Sequence, residues 1–133
     1  MKTITLPEDL GKKATNISME ELKAALKQAE NRPSIKEQLI LKMYEIADKT
    51  KKLYDTQEIT VLIGIDHTGT YLCCINKTDT ELSLVAPLVN LGLDGKCSGY
   101  CVLNGEDIKV ESEVVELRIS ALDAVLAKLT EAE

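Results

Sequence analysis

The chain has 133 residues, a formal net charge of −6 and an estimated pI of 4.9, with no Trp, no Phe and four Tyr. A chain of this length buries roughly two-thirds of the surface its unfolded form exposes, so it can fold without disulfide or metal staples. The composition excludes a disordered tail, a collagenous chain, a disulfide-dense mini-protein and a generally basic nucleic-acid binder.

The opening stretch MKTITLPEDLGKKA lacks an apolar core and carries Glu8 and Asp9, so it does not read as a leader. The longest nearly uncharged run, Leu82 to Leu93, is 12 residues with Pro87 inside it, too short to span a bilayer. Four cysteines without a leader predict reduced thiols in a cytoplasmic protein.

Ile17-Ser18-Met19-Glu20-Glu21-Leu22 carries a helix start: Ser18 caps, Glu21 reaches back, and Ile17 and Leu22 have staple spacing. The first helix is expected to run to about Asn31. Arg32-Pro33 breaks it, and Ser34-x-x-Glu37 opens a second predicted helix reaching Tyr54, with Ile35, Leu39, Ile40, Met43, Ile46 and Ala47 at helical spacing. Lys49, Lys51 and Lys52 would then complement its C-terminal dipole.

Past Gln57 the pattern changes. Glu58–Asp66 and Thr70–Lys77 flank Asp66-His67-Thr68-Gly69, a hairpin signal. A three-residue loop pairs Ile65 with Tyr71, Ile63 with Cys73 and Val61 with Ile75, and sorts apolar residues better than the two-residue alternative. Both faces remain apolar, so cover on both sides is expected. Thr80 to Leu93 reads as a strand or as a short helix distorted by Pro87. Tyr100–Leu103 and Asp107–Glu113 around Asn104-Gly105 form a second hairpin, which Val114–Ile119 could extend. Ser120-x-x-Asp123 looks like the cap of a final helix bearing Leu122, Val125, Leu126 and Leu129.

The expectation is a single α+β domain: two N-terminal helices (1–57), an antiparallel sheet of four to five strands from two hairpins (58–119) and a C-terminal helix (120–133). Charge divides along the same line. Residues 1–57 hold 11 Lys/Arg against 9 Asp/Glu, and residues 58–133 hold 5 against 13, so the sheet part carries the acidity.

Each candidate site has a plain structural explanation beside the functional one. Cys97 and Cys101, spaced C-x3-C, could join His67 as metal ligands. Cys73 and Cys74, adjacent on a strand, must face opposite ways and cannot share an ion. His67, the sole histidine, sits among turn formers, which accounts for it without catalysis. Gly92-Leu93-Asp94-Gly95 lacks the Lys-Ser/Thr of a phosphate loop. Glu106, Asp107, Glu111, Glu113 and Glu116 form an acidic series that suits a basic partner or, more simply, a charged edge. Tyr44, Tyr54, Tyr71 and Tyr100 are the residues to inspect for a ligand pocket between the sheet and the second helix.

No cofactor is called for, and four tyrosines give little support to base stacking. The leading expectation is a small acidic non-enzymatic protein, a regulator, subunit or inhibitor that binds another protein, including one that handles nucleic acid, with self-association as a further option. A ligand-binding or sensor domain and a thiol- or metal-dependent enzyme are the alternatives.

Overall fold

The computed structural model describes residues 2–27, 50–93, 97–102, 105–111 and 113–131. These form ten strands and one α-helix: β1 (Lys2–Thr5), β2 (Thr15–Asn16), α1 (Met19–Leu26), β3 (Thr50–Asp55), β4 (Ile59–Asp66), β5 (Gly69–Asn76), β6 (Leu82–Pro87), β7 (Cys97–Cys101), β8 (Asp107–Glu111), β9 (Val114–Ile119) and β10 (Ala124–Glu131). One curled sheet runs in the order β1-β6-β9-β8-β7-β10-β5-β4-β3-β2. All neighbours are antiparallel except β1 and β6.

The fold is therefore mostly β, which corrects the α+β expectation of two N-terminal helices, four to five strands and a C-terminal helix. The final segment is strand β10, because Ala124 and Leu126 bury on one face of the sheet while Ala127 and Leu129 bury on the other. A strand covered on both sides loses the polar alternation that would mark it and imitates a short helix. Ser120-x-x-Asp123 is a turn rather than a cap: Leu122 has φ 50°, and the Leu122 amide donates to the Thr78 carbonyl. Lys51 to Tyr54 are likewise strand β3, with a register shift between Lys52 and Tyr54. The rest of the second predicted helix, residues 34–49, lies outside the described residues.

Other expectations hold. The Glu21 amide donates to the Ser18 hydroxyl at 3.1 Å, so α1 starts on the capping residue that the sequence marks. Leu22 is buried with Ile17 beside it. Thr80 to Leu93 resolves into strand β6 followed by a 3-10 turn, Leu88–Leu91, closed by Gly92 at φ 70°.

The first hairpin takes the two-residue loop: Ile65 faces Thr70, Ile63 faces Leu72 and Val61 faces Cys74. The preferred three-residue register is corrected. It rested on keeping one face apolar, and here both faces are buried, so that criterion has no force. The second hairpin joins β7 to β8, but β9 is a separate strand that folds back on β8.

The main core lies inside the curl. Leu72, Leu84, Val115, Ala127 and Leu129, each fully buried, bring both halves of the sheet together. A second cluster on the outer face seats Leu22 of α1 on Leu62, Tyr71, Cys73, Ile75 and Leu126. Asn76 is wholly buried, and its amide donates to the carbonyls of Thr80, Ile119 and Ser120 at 2.8, 3.1 and 3.1 Å. It ties the β5–β6 turn to the end of β9. No described helix is long and apolar enough to cross a membrane.

Candidate functional site

A groove of about 550 Å³ lies where the N-terminal segment crosses the 3-10 turn after β6. Asn90 builds it. Its side-chain oxygen accepts from the amides of Leu10 and Gly11 at 3.0 and 3.2 Å, and its nitrogen donates to the Pro7 carbonyl. Gly11 allows the approach, since a Cβ there would meet the Asn90 backbone oxygen at 2.9 Å. Ile63, Ile65, Val89 and Leu91 supply apolar walls, and Glu8, Asp9, Lys12 and Lys51 supply charge. Ile65 and Val89 remain 51% and 63% exposed, an apolar lip of the kind that marks contact surfaces. Lys13 binds Asp9 at 2.8 Å, and this hydrogen bond and charge hold the Asp9 carboxyl below its ordinary range.

A smaller polar pocket of about 200 Å³ lies between α1 and the sheet. Ion pairs cross it: Lys52 lies 3.7 Å from Glu21 and 3.9 Å from Asp55, and Lys77 lies 3.0 Å from Asp55. Burial pushes the Asp55 carboxyl up, but the hydrogen bonds from Lys77 and Thr60 outweigh it and leave it lowered.

The residues singled out in the sequence do not gather at either place. Cys73 faces the outer cluster and Cys74 the inner core, as adjacent strand residues must. Burial pushes the Cys73 thiol up to about 12 and Cys74 well above its usual range, so both are inert apolar fillers. Cys97 is raised by partial burial and by the Glu131 charge. All four cysteines are free thiols. Among the described residues, which include Cys97, Cys101 and His67, no group of three or more His, Cys, Asp or Glu could hold a metal ion. His67 is exposed at the tip of the β4–β5 turn.

Asp107, Lys109 and Glu111 alternate on β8, and Lys109 reaches within 3.9 Å of Glu111 and 3.8 Å of Glu116. Glu113 leaves the series, at φ 63° in the turn before β9. Glu106 instead accepts the Cys101 amide through its backbone carbonyl. Tyr54 packs against the inner core, Tyr71 is buried outside it and Tyr100 is 41% exposed, so these three line no common pocket. Tyr44 lies outside the described residues. The groove itself was invisible in the sequence, because Asn90 and Gly11 are 79 residues apart and neither belongs to a motif.

No known protein family matches the chain, and no curated protein does. Solved structures do. A GH27 β-L-arabinopyranosidase from Geobacillus stearothermophilus is similar at a TM-score of 0.56 and 17% identity, over 62% of this chain and 19% of that one. An α-amylase from Geobacillus thermoleovorans, in complex with acarbose, gives 0.58 and 16% over 71% and 21%. α-Galactosidase I from Mortierella vinacea gives 0.55 and 11% over 62% and 23%. The likeness is one of fold. This chain spans about a fifth of the length of the structures it matches. All three cleave glycosides by name, and this likeness stands against the expectation of a non-enzymatic regulator or inhibitor.

Proposed function

We propose that this chain is the β-module of an enzyme that cleaves glycosides, joined to a catalytic domain through the face around the Asn90 groove. The observation that carries the reading is the shared fold: the chain is similar over 62–71% of its length to about a fifth of three glycoside hydrolases.

The groove's chemistry supports a module rather than an active site. Glycoside cleavage commonly uses two carboxyl groups, one kept protonated by a raised pKa so that it can act as the acid. Asp9 is held below its ordinary range by Lys13, the opposite of what an acid needs. On this reading the catalytic carboxyl pair lies in the adjoining domain. Ile65 and Val89 give that domain an apolar lip to cover.

Affinity recovery from the chain's own cells under native conditions tests the reading. The recovered material, including whatever the chain is joined to, should hydrolyse an aryl α-galactoside, an aryl β-L-arabinopyranoside or soluble starch, and the chain produced alone should hydrolyse none. Recovered material with no such activity overturns the proposal, as does turnover by the isolated chain.

A further inference from the structure

On the outer face of the sheet, one row of cross-strand partners passes over six strands: Thr50, Gly64, Tyr71, Lys128, Tyr100 and Asp107. Residues directly opposite each other share a face, so these side chains stand side by side. The row changes character along its length. Tyr71 is 2% exposed, Lys128 half-buried, Tyr100 the most open tyrosine described, and Asp107 exposed. The Lys128 ammonium lies 5.6 Å from the centre of the Tyr71 ring, and the Tyr71 hydroxyl is 3.1 Å from that of Thr68. Attraction between ammonium and ring keeps the long Lys128 side chain within the row. One step along the same face, Ser98 pairs with Thr130 and adds two hydroxyls.

We infer that Tyr100, Lys128 and Asp107 form a platform for a neutral saccharide. A pyranose has an apolar C–H face and a rim of hydroxyls. The open tyrosine ring matches the first, as a flat amphipathic surface with little conformational entropy to lose. The ammonium of Lys128 donates to the rim, and the carboxylate of Asp107 accepts from it. Their opposite charges flank Tyr100 and offset each other, which favours an uncharged polyol over an anionic or cationic ligand. Lys51, Ile63 and Ile65 of the groove stand on the inner face, with the main core, whereas this row stands on the outer face. A catalytic domain seated at the groove leaves the platform open. This inference rests on the glycoside-cleaving reading and adds to it a place where the module itself would touch the sugar chain.

Titration of the whole chain with maltotriose, followed by amide and tyrosine NMR signals, tests the platform, with methyl α-galactopyranoside as a second probe and glucuronate as a charged control. The expected result is a dissociation constant on the order of 1 mM for a neutral sugar, with shifts at Tyr100, Lys128, Ser98 and Thr130 and weaker binding of glucuronate. Tyr100→Ala should weaken binding about tenfold, while Tyr100→Phe, which keeps the ring, should stay within about threefold. Should Tyr100→Ala not fold, Tyr100→Leu removes the ring while keeping bulk, and Asp107→Asn removes the carboxylate; both should weaken binding. Unmoved signals at Tyr100 with both neutral sugars overturn the inference, as does wild-type affinity in a folded Tyr100→Ala or Tyr100→Leu variant. Active recovered enzyme with a silent platform would remove the platform alone. A responsive platform with no recovered activity would remove the enzyme reading instead.

Discussion

Two regions of this sheet follow opposite rules. In β4 and β5 nearly every side chain is buried, and in β10 Ala124, Leu126, Ala127 and Leu129 are, because the main core lies on one side and the α1 cluster on the other. In β8 and β9 exposure alternates residue by residue, with Lys109, Glu111, Glu116 and Arg118 outward and Val115, Leu117 and Ile119 inward. The first region supplies cohesion, and the second has only one face to offer it. Tyr100 and Asp107 lie where the two meet, on strands whose outer face α1 does not cover. On the outer face, an open tyrosine and a carboxylate thus stand together where the second layer stops.

The sharpest way to break this contrast is to cut a cavity in each region. Leu126→Ala, at a fully buried position of β10, should cost about 2–5 kcal/mol. Val110→Ala on β8, which is half-buried, should cost well under half as much. Denaturant midpoints measure both, and equal losses would mean that the two regions are not distinct. Asn76→Ala should follow in size, at about 1–3 kcal/mol, since it strips one donor group from three backbone carbonyls beside the buried join of β5 and β9.

The smallest effect concerns pH. Asp55 has a lowered native pKa, so its contribution is fully present above the unfolded-state value and is lost as pH falls through the native one. Its side chain is 43% exposed, and solvent screening limits the contribution to a few tenths of a kcal/mol. Lys77→Ala should flatten that acid-side dependence in thermal unfolding followed from pH 7 downward. A profile unchanged by the substitution would show that the pair with Lys77 does not couple to folding.

The same contrast explains what the sequence revealed. The α1 start was legible because Ser18 and Glu21 act through local geometry alone. Both hairpins were legible from their turn residues, down to Gly105 at φ 76°. The β4–β5 register was not, since side-chain alternation decides register only when one face is wet. The final strand failed for the same reason: Ala124 to Leu129 satisfies a helical and a strand pattern at once. The site was harder still. Tyr100, Lys128 and Asp107 were visible as residues, and Tyr100 and Asp107 were singled out. What makes them one surface is the placement of β10 between β5 and β7, a pairing that local sequence does not encode. The Asn90 groove depends in the same way on a contact across 79 residues.

That placement of β10 also bears on how the molecule is made. The last of the ten strands occupies the middle of the sheet, with β5 on one side and β7 on the other. Until it arrives, both of those strands present open backbone edges, and Leu72, Cys73 and Tyr100 lack their partners Ala127, Leu126 and Lys128. Pairings this distant along the chain favour slow folding. During synthesis the nascent protein thus holds two unfinished sheet fragments that only β10 can unite. The interval before that closure is when aggregation threatens most, and a chaperone that shields strand edges would matter then rather than after the sheet is complete.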